Sequence, residues 1–548
     1  MLSFVLLLLA QSNPITGGNF ETYFQIDAPL LAEKFGSSVD GLGDINGDGV
    51  PDFIVGSKLE DNAMENAGAA RVYSGADASV LFHIEGTASN QYLGARVASA
   101  GDLNKDHVPD FLISSPKADG PWQTDGGRVW AYSGDDGQIL YEFAGSYPNE
   151  RLGFAICGAG DANSDGYDDF AITSAPYSGL GGGAHGTVYL MSGADGSILH
   201  TILDPGPNNS QFGSTLAGIG DLNHDSIPDL LVGAPSYASV ATDSVGAVFV
   251  YSGATGVRIM KIEGPHTNSK FGCSAANAGD INSDGIPDLV IGASDADLIP
   301  NSNSKEGMAF LYSGSDGSLI LKIPGMDEHS GFGTQVCAAG DINLDGIPDI
   351  VVNAPDDDQS DSTISYFSGA DGTYFHGVDA LQASMAPVGD VNQDGHQDLV
   401  IGQPKSGNGV VIINGLNPYF YVGNNDISAR HGGNLVMRLD FPDSLAGLNY
   451  KVLLSATGTG PIQSWVDIPL SPDVYFWGSV NGNYPGTFSY RLHGSLDAEG
   501  DALTTLAFGN GLPNSMVGST FWIAAAVTNP GGNQAIYSSV ARPILVNP

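Results

Sequence analysis

The sequence predicts an all-β protein, a seven-bladed β-propeller followed by a C-terminal β-sandwich. Three observations support this: one motif recurs seven times, strand-like runs surround each copy, and the repeat is lost after about residue 418. The first copy, "GDINGDGVPDFIVGS", spans Gly43 to Ser57. A steady period of this kind indicates an array of one supersecondary unit. The leading aspartates are Asp44, Asp102, Asp161, Asp221, Asp280, Asp341 and Asp390, at steps of 58, 59, 60, 59, 61 and 49 residues.

One repeat, from Phe212 to Gly264, shows what each copy builds. The small-residue segment "FGSTLAGIGD" suits a crowded inner strand, and the apolar run "DLLVGAP" after the motif suits a buried second strand. The alternating "AVFVYSG" predicts a third strand, and "VRIMKIEG" after a short turn predicts a fourth. Four short antiparallel strands in seven copies are typical of a β-propeller.

The two ends of the repeat array are complementary. The seventh copy ends at Gly415 with a third strand, "GVVIING", and lacks a fourth. The N-terminal segment "YFQIDAPLLAEKFG", from Tyr23, aligns with the fourth strand and lead-in "LFHIEGTASNQYLG", from Leu81. We therefore expect the N-terminal strand to pair into the last blade and close the ring, so that the propeller spans residues 19–415.

Each motif is a loop with oxygen-bearing side chains at positions one, three, five and nine, and the backbone carbonyl at position seven completes the donor set. An all-oxygen set in a flexible loop selects a hard cation and favours Ca²⁺ over Mg²⁺. An EF-hand would need a glutamate at position twelve, where the first loop has Val55. The predicted metal ligands are Asp44, Asn46, Asp48, Asp52, Asp102, Asn104, Asp106, Asp110, Asp161, Asn163, Asp165, Asp169, Asp221, Asn223, Asp225, Asp229, Asp280, Asn282, Asp284, Asp288, Asp341, Asn343, Asp345, Asp349, Asp390, Asn392, Asp394 and Asp398.

The alternative for these loops is an array of Asx turns that stabilises hairpins without metal. Three carboxylates in one small loop repel each other, which favours a cation. Five loops have glycine at position six, whereas the second and fourth have His107 and Ser226. A side chain in a left-handed conformation costs about 1 kcal/mol, so these two loops are expected to bind more weakly. The ions are expected to be structural.

The repeat resembles the FG-GAP repeats of the integrin α-subunit propeller. The Phe-Gly element occurs at Phe35-Gly36, Phe212-Gly213, Phe271-Gly272 and Phe332-Gly333, with Leu-Gly at Leu93-Gly94 and Leu152-Gly153. The Gly-Ala-Pro element is complete at Gly233-Ala234-Pro235 and has variants such as Ser174-Ala175-Pro176 and Asn353-Ala354-Pro355. This resemblance implies seven blades, cations in the loops between first and second strands, and ligands on the opposite face.

The charge and the N-terminus restrict the partners and the location. With 19 Lys and Arg against 61 Asp and Glu, the formal charge is −42, which disfavours nucleic acid and anionic membranes. The start "MLSFVLLLLAQSNP" predicts a signal peptide over residues 1–12, and a buried first strand is the alternative. No stretch is long enough for a transmembrane anchor. We therefore expect a secreted or cell-surface protein, with Cys157, Cys273 and Cys337 as free thiols.

Residues 418–548 predict a β-sandwich, because short strands such as "NLVMRLDF", "FSYRLHG" and "FWIAAAVTN" alternate with Gly, Pro and Asn turns. This segment has five Lys and Arg against eight Asp and Glu, so −42 − (−3) = −39 lies upstream of it. Its composition is compatible with a packing, spacer, cell-surface or binding role.

No catalytic signature occurs in the chain, and the sequence predicts an adhesion or ligand-binding module for an extracellular glycan or protein. The variable loops after the second strands are the expected contact surface, since recognition residues usually lie on loops of a rigid scaffold. Trp122, Tyr177 and Tyr237 are candidates for stacking on a ligand, or for capping blade edges. The alternative function is a polysaccharide-active lyase or hydrolase on the propeller face. The oligomeric state stays open.

Overall fold

The structure is a computed structural model. It describes residues 19–404 except 29–33, 62–63, 120–123, 175–185, 207–208, 239–243, 299–303, 326–329, 343–344, 356–362, 380–383 and 392–396. Beyond residue 404 it describes strand segments only. The predicted signal peptide, Trp122, Tyr177, Asn343, Asn392 and Asp394 lie outside the described residues. Two compact units are present: Thr22–Ile342 with Ile347–Gly415, and Met1–Glu21 with Asn343–Gly346 and Leu416–Pro548.

The first unit is a β-propeller built from short antiparallel strands. Their bounds in chain order are β1 Asn19–Asp27, β2 Phe35–Gly43, β3 Asp52–Ser57, β4 Ala69–Tyr73, β5 Val80–Glu85, β6 Arg96–Gly101, β7 Asp110–Ser115, β8 Arg128–Tyr132, β9 Ile139–Ala144, β10 Ile156–Gly160, β11 Asp169–Ser174, β12 Thr187–Met191, β13 Ile198–Leu203, β14 Thr215–Gly220, β15 Asp229–Ala234, β16 Ala247–Tyr251, β17 Arg258–Glu263, β18 Phe271–Gly279, β19 Asp288–Ala293, β20 Met308–Tyr312, β21 Leu319–Pro324, β22 Gln335–Gly340, β23 Asp349–Ala354, β24 Thr363–Phe367, β25 Tyr374–Asp379, β26 Ser384–Gly389, β27 Asp398–Gln403 and β28 Val410–Asn417.

Six blades each consist of four consecutive strands, paired in chain order. Blade 1 contains β2–β5, blade 2 β6–β9, blade 3 β10–β13, blade 4 β14–β17, blade 5 β18–β21 and blade 6 β22–β25. A further four-stranded sheet, which we call the closing sheet, has the order β1-β28-β27-β26. The N-terminal strand β1 therefore occupies in the closing sheet the place that a fourth strand occupies in each blade.

Burial explains why each strand has its composition. Every residue of the second strand is buried in all six blades and in β27, as expected for apolar runs covered on both faces. Fourth strands such as β5 and β9 alternate exposed and half-buried residues, because they form the outer edge. First strands end in a register shift at the glycine before the loop; Gly43 has φ 80°, which favours glycine.

The hydrophobic core lies between neighbouring sheets. One cluster joins Ile54 and Val72 of blade 1 to Phe111 and Trp130 of blade 2, and similar clusters join blades 2 to 3, 3 to 4, 4 to 5 and 5 to 6. Blade 1 also packs against the closing sheet in a cluster that contains Phe35 and Val400. Leu93 and Leu152 are buried as the phenylalanines are, so leucine replaces phenylalanine in the Phe-Gly element without changing its place in the core.

The second unit contains two β-sheets. One has the order β29-β31-β35-β33, and the other has the order β30-β38-β36-β32-β34 with β37 paired to β36. The predicted strand "FSYRLHG" is divided between two segments that lie in different sheets. The bounds are β29 Phe420–Val422, β30 Asp426–Ser428, β31 Gly433–Asp440, β32 Asn449–Ser455, β33 Phe488–Tyr490, β34 His493–Ser495, β35 Asp501–Phe508, β36 Thr520–Thr528, β37 Ala535–Ser538 and β38 Arg542–Asn547.

Candidate functional site

Each blade has two ends that differ in chemistry. In blade 1, Gly43 pairs with Asp52 at the end that carries the Asp-rich loop, and Phe35 pairs with Ser57 at the other. We call the first the loop end; it also holds the turn between the third and fourth strands. We call the second the entry end, because the chain enters each blade there. All the predicted metal ligands that lie among the described residues belong to the loop end.

In the first loop, the side chains at positions one, three and five accept hydrogen bonds from the loop's own amides. The Asp44 carboxylate accepts from Gly47 N at 2.8 Å and from Gly49 N at 2.9 Å. Asn46 Oδ1 accepts from Asp48 N at 2.9 Å, and Asp48 Oδ1 accepts from Val50 N at 2.8 Å. These bonds point the three side chains to the inside of the turn.

The same pattern recurs in the next four loops, which are fully described. The position-one carboxylate accepts from the position-six amide at 2.8 or 2.9 Å in all five loops. The position-three side chain accepts from the position-five amide at 2.8 or 2.9 Å in each. The repeated sequence therefore builds a repeated geometry, whether position six is glycine or not.

The aspartate at position nine has a further role, which the sequence did not predict. Asp52 is completely buried; its Oδ2 accepts from Ile45 N at 2.8 Å and its Oδ1 accepts from Gly75 N at 2.9 Å. It thus joins the loop to the turn between the third and fourth strands. Equivalent pairs of bonds occur at Asp110, Asp169, Asp229, Asp288 and Asp349. The signal was a Ser-Gly pair that begins each of these turns, such as Ser74-Gly75.

Burial determines the protonation behaviour of these aspartates. Desolvation raises the pKa of Asp110 to about 7 and the pKa of Asp169 and of Asp229 to about 6, against the opposing effect of the two amide hydrogen bonds. The neighbouring loop carboxylates raise these pKa values further. A cation beside them would have the opposite effect on the pKa, because it stabilises the ionised form.

The backbone of the loops is left-handed at position six, with φ of 88° at Gly49, 69° at His107 and 67° at Ser226. Position four is left-handed as well, for example at Gly47 and Lys105, which the sequence pattern did not reveal because six different residue types occupy it in the seven copies. No atom lies within 4 Å of a Cβ built on Gly49, so the conformation and not space favours glycine there.

The donor set of the loops fits a hard cation by its chemistry. All the side-chain donors are carboxylate or amide oxygens, and the hydrogen bonds direct them into one turn. Among the residues that the structure describes, no three acidic, histidine or cysteine side chains are already drawn together as a metal-binding group. Positions one, three and five would hold the ion, and the position-nine carboxylate would contribute while it remains bonded to its two amides.

At the entry end, one of the three candidate aromatic residues is described. Tyr237 is half-buried, and its ring lies edge-to-face against Phe249 with centroids 5.4 Å apart. Its hydroxyl accepts a hydrogen bond from Lys261 Nζ at 3.2 Å. These contacts hold the ring against its own blade, and both roles suggested for Tyr237, capping a blade edge and stacking on a ligand, stay predictions.

The three cysteines are free thiols, as the sequence predicted. Cys157 lies on β10 and Cys337 on β22, the first strands of blades 3 and 6. Burial raises the pKa of both thiols to about 12, and the charge of Asp40 on β2 adds to the shift. Neither thiol is therefore activated as a nucleophile.

These features, a propeller whose blades carry Asp-rich loops after their first strands, define a class of protein. The FG-GAP repeat family matches residues 35–73, 212–251, 271–312, 332–370 and 384–413. The unmatched copies are the two with Leu-Gly in place of Phe-Gly. The chain therefore contains five FG-GAP repeats within a β-propeller.

Its relatives include integrin α subunits. It is 31% identical over 218 residues to integrin alpha-5 of Xenopus laevis. This alignment covers 37% of this chain and 20% of the relative. It is 36% identical over 194 residues to phosphatidylinositol-glycan-specific phospholipase D of Bos taurus (32% and 22%) and 32% identical over 190 residues to integrin alpha-3 of Cricetulus griseus (31% and 17%). The chain thus spans about a fifth of the length of these relatives.

A solved structure, titled as the structure of the Dos1 propeller, aligns with a TM-score of 0.37 and 11% identity over 72% of this chain and 95% of that one. Separately, none of the described residues forms a helix long and apolar enough to cross a membrane.

Proposed function

We propose that this protein is an extracellular, calcium-binding β-propeller of seven blades, followed by a β-sandwich at residues 418–548, that acts as an adhesion or ligand-binding module. The observation that carries the proposal is the repetition of one all-oxygen loop, with the same hydrogen bonds, at the loop end of blades 1 to 5. This repetition supports ion binding and stability as the role of the loop end. It favours recognition as the role of the entry end, where the loops differ.

The count of seven blades is supported by the closing sheet. Its first strand β26 lies against β2 of blade 1 and against β22 of blade 6. Ser384 Oγ of this sheet donates a hydrogen bond to the Gly36 carbonyl at 2.7 Å. A closing sheet that has four strands and contacts both neighbours supports the proposal of a seventh blade.

The relatives support the extracellular and adhesive parts of the proposal. The resemblance of this chain to integrin α subunits supports an adhesive role at the cell surface. The apolar N-terminus of this chain resembles a secretion signal. The partner class that we propose is an extracellular glycan or protein. The charge of −42 argues against nucleic acid.

Binding and turnover can be measured side by side. The full chain in millimolar calcium is applied to a glycan array and to a panel of extracellular-matrix proteins, and the same glycans are assayed for new reducing ends and for unsaturated products. We expect binding without turnover. Product formation would instead establish the alternative, a polysaccharide-active enzyme, and the absence of both binding and turnover would contradict the proposal.

A further inference from the structure

The entry end contains a basic cavity in a strongly acidic protein. Its volume is about 270 Å³, and it lies where the second strands of blades 1 and 2 end and where the chain enters blades 2 and 3. Four cationic side chains line it, from Lys58, Arg96, Lys117 and Arg151, together with the rings of Tyr92 and Phe154. With only 19 Lys and Arg in 548 residues, four at one cavity are a marked local concentration of positive charge.

Three of the four cations have no acidic partner in the part of the chain that the structure describes. Within the described ranges, no ion pair involves Lys58, Arg96 or Lys117, and Arg96 Nη1 donates to the Ala95 carbonyl at 3.1 Å. Lys117 Nζ lies 5.4 Å from the ring centroid of Tyr92. Arg151 alone is paired, with Asp125 at 3.3 Å. Among the described residues, the cavity therefore has a net positive charge that no acidic side chain at Lys58, Arg96 or Lys117 balances.

The electrostatics at Lys58 are consistent with this arrangement. Burial lowers the pKa of its ammonium, and the nearby positive charges of Arg96, Lys34 and Lys117 lower it further. Like charges held together in a partly desolvated place raise the free energy of the charged state, and an anion in the cavity would remove that cost.

Blade 5 shows how the same repeat positions look when the charge is balanced. Lys270 precedes Phe271-Gly272 as Tyr92 precedes Leu93-Gly94, and Asp295 stands seven residues after the position-nine aspartate as Lys117 does in blade 2. Asp295 pairs with Lys270 at 3.0 Å and with Lys305 at 3.3 Å. At the two positions where blade 5 has a salt bridge, blade 2 has the ring of Tyr92 and the ammonium of Lys117, which has no acidic partner among the described residues.

We infer that this cavity is a binding site for a small oxyanion, a carboxylate or sulfate group carried by a ligand of about monosaccharide size. The guanidinium groups suit a planar or tetrahedral oxyanion, the lysines add charge, and the two rings offer faces for an apolar part of the ligand. The inference deepens the proposed function by naming the chemistry that the entry end recognises, and it rests on that function only for the ligand's biological source.

The size of the cavity and the charge of the whole protein favour a small ligand over an extended polyanion. The surrounding surface, at a net charge of −42, repels a long acidic chain. Charges further away than about 8 Å are screened at physiological ionic strength, so the cavity cations dominate for a group that enters it. A single anionic sugar, or an anionic end of an otherwise neutral chain, meets both conditions.

The test is isothermal titration calorimetry of the full chain in millimolar calcium, with sulfate and with glucuronate as probes and glucose as the neutral control. We expect sulfate, glucuronate or both to bind with an affinity that falls as sodium chloride is raised, and glucose not to bind. Binding of only one anion identifies which oxyanion the site takes. If neither binds at low ionic strength, the inference is overturned.

Variants locate the site. Lys58→Gln combined with Lys117→Gln is expected to weaken anion binding roughly tenfold or more, because two charge-assisted contacts are lost. Lys270→Gln removes the same kind of charge from the entry end of blade 5, where Asp295 already balances it, and is expected to leave binding unchanged. The single variant Lys117→Gln changes an exposed side chain and serves if the double variant does not fold. Equal effects of Lys270→Gln and Lys117→Gln would place the anion elsewhere and overturn the inference.

The glycan array and the matrix-protein panel described above distinguish a failure of this inference from a failure of the proposed function. If the Lys58→Gln and Lys117→Gln variant keeps glycan or protein binding while the calorimetry shows no anion binding in the wild type, the inference fails and the adhesion function stands. If anions bind but no array ligand does, the inference stands and the adhesion function fails.

Discussion

The two ends of the propeller blades use charge in opposite ways. At the loop end, the same Asp-rich turn recurs with the same hydrogen bonds in blade after blade, and the position-nine aspartate is buried in each. At the entry end, blade 2 has cations around a cavity that have no acidic partner in the described part of the chain, whereas blade 5 has a closed salt-bridge cluster. The repeated loops at the loop end thus go with a structural role. Recognition is expected at the entry end, where the blades differ in sequence and charge.

Removal of calcium is expected to have the largest effect, and it should act through the loop end only. Each loop occupied at ten times its dissociation constant adds about 1.4 kcal/mol to the free energy of unfolding, and five loops with glycine at position six can add together. Differential scanning calorimetry of the full chain should therefore show a propeller transition that shifts to lower temperature in EDTA. The transition of the C-terminal unit should not move, since that segment lacks such loops. A propeller transition at the same temperature in EDTA and in millimolar calcium would contradict calcium binding.

The next largest effect is expected at position nine. Asp169→Ala removes the acceptor for the amides of Ala162 and Gly193, both bonded at 2.9 Å to a fully buried carboxylate. Two unsatisfied buried donors cost roughly 3 kcal/mol together. Urea unfolding in EDTA measures this loss without a contribution from the ion.

The control lies in the same loop. Asp165→Ala changes an exposed side chain at position five and should cost less than about 1 kcal/mol in EDTA. If both variants lose the same stability in EDTA, the position-nine aspartate has no special structural role.

The third prediction concerns the buried carboxylate of Asp40, which lies in the middle of strand β2 and at neither end of the blade. Asp40 on β2 accepts from Ser99 N at 2.9 Å, and burial raises its pKa to about 6 from a usual 3.8. The stability that comes with its protonation is fully present below pH 3.8 and is lost as the pH rises through 6. Asp40→Asn stays uncharged, so it should be more stable than the wild type by about 2 kcal/mol at pH 8, and this gain should shrink as the pH falls towards 4.

Urea unfolding at pH 8 and at pH 5 checks this difference. Asp77→Asn, at the exposed turn of blade 1, is the control with the opposite sign, because hydrogen bonds from Ser79 lower the pKa of Asp77. A gain for Asp40→Asn that does not depend on pH would show that its cause is not the buried charge.

The smallest effect is expected at position six. His107→Gly and Ser226→Gly should each stabilise the propeller by roughly 1 kcal/mol, because glycine adopts their left-handed backbone without steric cost. The reverse change, Gly49→Ser, should cost a similar amount, since no neighbouring atom obstructs a side chain there. Urea unfolding in EDTA measures all three. Equal stability of the three variants and the wild type would mean that position six does not distinguish the loops.

Much of the fold was predictable because it repeats. Four strands per unit, the buried second strand and the glycine before each loop follow from local periodicity and turn chemistry, and the structure agrees in six blades. The candidate ligands at positions one, three and five were predictable for the same reason. The division of "FSYRLHG" between two sheets was not, because nothing in seven residues indicates which sheet each half will join.

What the sequence determined by itself is therefore local: the individual strands of the blade unit, the oxygen-rich loop and its left-handed position six, each encoded within about ten consecutive residues. The tertiary structure alone decided which distant groups meet. It brings Gly75 N to Asp52 across 23 residues, and it gathers Lys58, Lys117 and Arg151 from three blades around one cavity. The reason is physical: the packing of sheet against sheet around the ring sets these contacts, and no pattern within one repeat encodes the neighbour that it will face.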